Sequence, residues 1–215
     1  MASVTVLTSV HGVGHFLPEA MASIPWELPG LQVIVTANGA DDIAAVRDAV
    51  LIYPAIVPIY RDVTVTLSDS LNAMLDLAAG DYMMRLDHDD MLITSMLAEM
   101  LGVAVPGGFV YSGYVDFGDQ RRVVRPGLAT LDNVRRGNPC GYNILVDTAL
   151  ARFIGGWEEV GFEDWYFLAR LVKVGAQGVR LNRSTLLHRA RAGGRGAKLY
   201  HTYEQRVAEI QEALA

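Results

Sequence analysis

The chain has 215 residues, 51% of them hydrophobic, which suits one domain with a sizeable core and excludes global disorder. Its lone cysteine, Cys140, cannot form an internal disulfide, no apolar run reaches the roughly 18 residues of a membrane span, and no basic segment precedes the first apolar stretch, so a cytoplasmic protein is expected. The net charge of −6 argues against tight nonspecific nucleic-acid binding. It also divides unevenly: residues 1–120 carry 3 basic and 15 acidic side chains, residues 121–215 carry 15 basic and 9 acidic. An acidic half that could hold a cation thus precedes a basic half that could meet phosphates or an anionic acceptor.

In chain order, Val4 to Thr8 reads as an apolar strand before the loop His11-Gly12-Val13-Gly14, and Phe16 to Ile24 has helical spacing up to Pro25. Leu31 to Val35 is a second strand ending in the turn Asn38-Gly39, and Asp41 and Asp42 open a helix reaching about Val50. Ile56 to Tyr60 is a third strand despite Pro58, and Ser68 to Ala79 a helix capped by Ser68 or Asp69 and closed by Gly80. Met83 to His88 alternates as a strand and runs into Asp87-His88-Asp89-Asp90.

Strand–helix alternation of this length implies parallel pairing, with ligands at the carboxyl ends of the strands. Residues two apart in an extended backbone face one way, so Asp87 and Asp89 could present two hard oxygen donors to Mg²⁺ or Mn²⁺. The competing reading is that Asp90 caps a helix beginning at Met91. Past residue 105 the pattern changes. Phe109 to Phe117 and Arg121 to Val124 read as a hairpin about Gly118-Asp119-Gln120, and Asp147 to Phe153 as a helix. The glycine-rich loop from Gly155 to Gly161, free to open and close, precedes a helix from Glu163 to Val174. In its first turn the acid pair Glu163-Asp164 would be favoured as carboxylates, either as chemistry or as an ordinary acidic helix start. From Ala197 to Leu214, Leu199, Tyr203, Val207, Ile210 and Leu214 recur at helical spacing, as core packing or as a subunit contact.

These pieces, in this order, resemble the family-2 glycosyltransferases of the GT-A fold up to about residue 196. The likeness rests on Val4–Thr8, on Val33 to Asp42, on Leu71-Asn72-Ala73 and on Ala79-Gly80-Asp81-Tyr82 leading to Leu86-Asp87-His88-Asp89-Asp90. It continues through Gly155-Gly156-Trp157, Gly161-Phe162-Glu163-Asp164 and Leu187-His188-Arg189. The resemblance implies an α/β fold: a Rossmann-like, mixed, mostly parallel sheet flanked by helices in one continuous domain. Its residues 1–105 would form the nucleotide-sugar half and 106–215 the acceptor half.

It further implies a metal-dependent, inverting transfer of a sugar from a nucleotide diphosphate sugar, UDP-sugar foremost, to a glycan, lipid-linked sugar, protein or modified nucleobase. Asp164 matches the catalytic base, and Glu163 and Trp157 would meet the acceptor, although Trp157 serves equally as a hydrophobic anchor. Asp87 and Asp89 match the metal motif for Mn²⁺ or Mg²⁺, with Asp87 also placed to hold the donor. Thr8, Ser9 and Asn38 match the nucleotide pocket. Relatives often carry paired aspartates where this chain has Ala37-Asn38, so the donor base stays open, and Asn38 is also a natural turn residue. Either His188 joins the metal, or Arg189 and Arg191 clamp the diphosphate. The loop Gly193-Gly194-Arg195-Gly196 would fold over the donor, and the C-terminal helix could join two copies. Phosphatases of the haloacid dehalogenase type also place Asp-x-Asp after a strand, but they want a small Gly-Thr pair where this chain has Asp90-Met91. The alternative function is a non-catalytic GT-A-like protein that binds sugar or nucleotide.

Overall fold

A computed structural model describes residues 2–12, 14–160, 162–191 and 203–214. One mixed sheet runs through the chain. β1 (Val4–Val10), β2 (Leu31–Asn38), β3 (Ile56–Arg61) and β4 (Tyr82–Arg85) are parallel in the order β3-β2-β1-β4. Beyond β4 the order continues through β8 (Ile144–Asp147), β6 (Gly108–Gly118), β9 (Gln177–Ala190) and the short β5 (Met91–Leu92). There β6 and β9 are parallel, and the pairs β4–β8, β8–β6 and β9–β5 antiparallel. β7 (Arg122–Val124) completes the expected hairpin against β6.

Neighbouring residues of the central strands feed opposite faces, as the strand period of two requires. Val6, Val33 and Met84 pack with α1 (Leu17–Ser23), α2 (Ile43–Ile52) and α4 (Met96–Val103). Leu7, Ile34 and Met83 pack on the other face with α3 (Leu67–Leu77), α6 (Thr148–Phe153), α7 (Glu163–Lys173) and α8 (Tyr203–Ala213). The one-turn α5 (Leu131–Val134) lies beside α7. Runs such as Val4 to Val10 are therefore buried throughout and carry no charge, because both faces are covered. Pro58 is tolerated because β3 is an edge strand.

Several local expectations change. Thr66, not Ser68 or Asp69, caps α3, its hydroxyl accepting from the Asp69 amide at 3.1 Å. Gly80 does not close that helix. It is a close approach to β1, where an added Cβ would lie 2.7 Å from the Thr5 nitrogen and the Val4 carbonyl carbon. Asp42 stands at the N-cap position of α2, as expected, but makes no side-chain cap: its buried carboxylate accepts the Gly12 amide at 3.0 and 3.1 Å, tying the loop after β1 to the end of β2. Asp90 is followed by strand β5, so it is not a helix cap either.

The glycine-rich loop is fastened, not loose, through Trp157. Gly155 (φ 84°) and Gly156 end α6 with amide bonds to the Arg152 and Ala151 carbonyls, the crossed pattern of a Schellman terminus. Asn72 then clasps the Trp157 amide and carbonyl, both at 2.8 Å, and Arg170 binds the Ile154 and Gly156 carbonyls. In α8, Ile210 and Leu214 are buried against the α7 side of the core, so the apolar stripe is packing within the chain. Leu199 and the segment Gly193 to Gly196 lie outside the described residues.

Candidate active site

The site lies at the carboxyl end of the parallel strands. β4 ends at Arg85, and a turn closed by the Asp90 amide on the Asp87 carbonyl (3.0 Å) presents the acids. Strand alternation therefore does not aim Asp87 and Asp89 at one point. Each goes to its own arginine. Asp87 takes Arg85 Nε at 2.5 Å and Nη2 at 2.8 Å, and Asp89 Oδ2 takes Arg191 Nη2 at 2.5 Å.

Arg85 joins the two acidic motifs. Its Nη1 donates to Glu163 Oε1 at 3.0 Å, its guanidinium lies 4.8 Å from the Tyr142 ring centroid, and with Asp164 it lines a cavity floored by Met83, Trp157 and Phe167. A buried guanidinium needs such compensation; burial pushes the Asp87 carboxyl up, and the Arg85 charge and hydrogen bonds outweigh that and lower it below its ordinary value.

Asp164 sits in the first turn of α7 and accepts Asn138 Nδ2 at 3.0 Å. Burial, then the neighbouring Glu163 charge, push its carboxyl up to about 6, with Arg85 pulling the other way. Asp90 is buried and accepts the Tyr142 hydroxyl and, at 2.7 Å, the Arg189 amide. Burial, then Asp87, raise it to about 7.

Other expected site residues are placed as follows. Thr8 and Ser9 are buried near the end of β1, where Ser9 Oγ donates to Ser70 Oγ at 3.0 Å. The Asn38 amide is engaged at both ends by the Val65 backbone, at 2.9 and 3.0 Å, like one rung of a sheet. Trp157 is buried and stacked on Phe167, centroids 4.5 Å apart. Arg189 is sandwiched between Phe16 and Phe117, pairs with Glu19 at 2.7 Å, and donates to the Asp89 carbonyl at 2.9 Å. His188 Nδ1 lies 2.7 Å from Asp116 Oδ1. Sequence reasoning missed Arg85, Asn138, Tyr142 and Asp116. Only Arg85 carried a signal, as a charge inside an otherwise apolar strand.

No group of three or more His, Cys, Asp or Glu side chains that could hold an ion occurs among the described residues. Asp89 and His188, both metal ligands expected from the sequence, are nonetheless of a donor chemistry that a divalent cation accepts. Asp89 Oδ2 already holds a positive group, and a hard carboxylate oxygen with an imidazole nitrogen suits Mn²⁺. Asp87, with both oxygens on Arg85, suits an outer position.

No protein-family model and no curated protein sequence matches the chain. Solved structures do. A Pyrobaculum calidifontis mannosyltransferase in complex with GDP-Man and Mn²⁺ superposes with TM-score 0.72 at 16% identity, over 97% of this chain and 63% of that one. S. aureus TarS 1–349 in complex with UDP-GlcNAc gives 0.74 at 12% identity, over 96% and 66%. At these identities the likeness shows the fold: this is the GT-A architecture of nucleotide-sugar glycosyltransferases. The chain spans just under two thirds of the length of these structures. No helix among the described residues is long and apolar enough to cross a membrane.

Proposed function

We propose that the protein is a metal-dependent, inverting glycosyltransferase that moves a sugar from a nucleotide diphosphate sugar to an acceptor nucleophile. The observation that supports this best is Arg85, whose guanidinium pairs with both Asp87 and Glu163 and lines one cavity together with Asp164. Asp164 is the catalytic base. Held by Asn138, it takes the proton of the acceptor nucleophile as that atom attacks the anomeric carbon, and a carboxyl poised about 6 is ionised yet basic at neutral pH. Glu163, fixed on Arg85, shapes the acceptor side, while Trp157 anchors the floor. Asp89 and His188 would hold Mn²⁺ or Mg²⁺, and Asp87 would orient the donor. Held by those residues, such an ion would supply positive charge to the departing diphosphate. Arg191 would meet the same diphosphate once released from Asp89. The neighbouring structures' GDP-Man and UDP-GlcNAc leave the base undecided between guanine and uracil.

The test is a panel of UDP- and GDP-sugars assayed for Mn²⁺-dependent hydrolysis and transfer. Asp89→Ala is expected to weaken metal-dependent donor binding at least 10-fold. Asp164→Asn should leave donor binding within about 2-fold and lower turnover by the 10²–10⁴ typical of a lost general base. Nucleotide binding without turnover, indifferent to Asp164→Asn, would establish the non-catalytic reading instead.

A further inference from the structure

We propose that Asp116 is a positioning residue for the metal site, holding His188 so that its Nε2 lone pair is presented to the cation bound with Asp89. The inference rests on the metal-dependent reading above and adds a residue to it. Asp116 on β6 and His188 on β9 are register partners, so the sheet itself delivers the pair. The Asp116 carboxylate is 2% exposed, and its two oxygens are divided between His188 Nδ1 at 2.7 Å and Arg122 Nε at 2.9 Å.

A carboxylate facing Nδ1 keeps the ring proton there and leaves Nε2 as an acceptor or ligand. Nε2 has no hydrogen-bond partner among the described residues, and the ring is 41% exposed. Tyr114 packs edge-on to it at 5.4 Å and 71°, which restricts its rotation. The ring belongs to the strand end that borders the acidic turn: the next residue, Arg189, bonds to both Asp89 and Asp90. Arg122 already balances the charge of Asp116, so the histidine is not required for neutrality. What Asp116 supplies to it is orientation.

The measurement is Mn²⁺ affinity, read by electron paramagnetic resonance of the free ion, with the full-length protein saturated with UDP or GDP. Asp116→Ala is expected to weaken Mn²⁺ binding about 10–100-fold. Asp116→Asn, which still accepts from Nδ1–H, should weaken it less. The double variant with His188→Gln should be no worse than His188→Gln alone, because both changes remove one interaction. A role confined to folding would lower the thermal midpoint while leaving Mn²⁺ affinity unchanged, and that result would overturn the proposal. So would His188→Gln within 2-fold of the parent, or additive losses in the double variant. In those cases Mn²⁺-dependent transfer would still stand. If no form takes up Mn²⁺ with either diphosphate, the metal-dependent reading fails together with this one.

Discussion

Arg85 touches two acids and acts on a third. It pairs with Asp87 and Glu163 by direct contact and opposes the burial that raises Asp164. A base must be deprotonated to act, so transfer should fall away as pH drops through about 6. Glu163→Gln removes the second-largest influence raising Asp164 while keeping an oxygen for Arg85. Its acid limb should therefore move to lower pH, visible in single-turnover rates between pH 4.5 and 8. An unmoved limb would mean that another group titrates. The same raised carboxyl acts on stability in a definite direction. The folded chain binds this proton more tightly than the unfolded chain does, so its contribution is greatest below the ordinary carboxylate range near 4 and is lost as pH rises through about 6. Asp164→Asn should therefore raise the thermal midpoint at pH 8 while removing activity, and should change it little at pH 4.

At the scale of elements, the site depends on contacts that fasten distant segments. Asn72 of α3 holds the Trp157 backbone at both its amide and its carbonyl, and Gly156, φ 69°, leaves room for that side chain where a Cβ would collide with Asn72 Oδ1. Asn72→Ala strands two polar groups and should cost about 1–3 kcal/mol, read as a shift in the urea midpoint at unchanged slope. Thr66→Ala, losing one helix cap, should cost about 1 kcal/mol. The parallel half of the fold was legible in the sequence, because β1, β2 and β4 are buried on both faces and their helices are punctuated by prolines and acids. β9 was not, because its fourteen residues are mostly half-buried or exposed and show neither an apolar run nor a clean alternation. The acid pairs were legible as types. Their partners were not, since Asn138, Asp116 and Arg85 meet theirs across 26, 72 and 78 residues, and local spacing carries no record of such pairings.

Across the whole molecule, the charge imbalance between the two halves is met by ion pairs that cross between them, Arg122–Asp116 and Arg183–Glu99 among them. Basic groups of the second half, Arg189 and Arg191, close onto the acidic turn of the first, pairing with Glu19 and Asp89. Arg191 and Asp89 thus hold opposite charges together, and a cation with its diphosphate would replace their contact while keeping both charges compensated. Binding of that kind should stabilise the sheet, because the acidic turn joins β4 to β5 and its acids bond to Arg189 and Arg191 at the end of β9. At ligand concentrations 100-fold above Kd the gain is about 2.7 kcal/mol, which for a chain of this size corresponds to roughly 5–10 °C in the thermal midpoint. Thermal shifts with Mn²⁺ alone, UDP or GDP alone, and each pair together should show the full rise only for one pair. The matching nucleotide identifies the donor base. Asp89→Ala should reduce the rise to that of the nucleotide alone. Equal shifts with and without Mn²⁺ would show that the chain's own arginines, and not a divalent ion, receive the diphosphate.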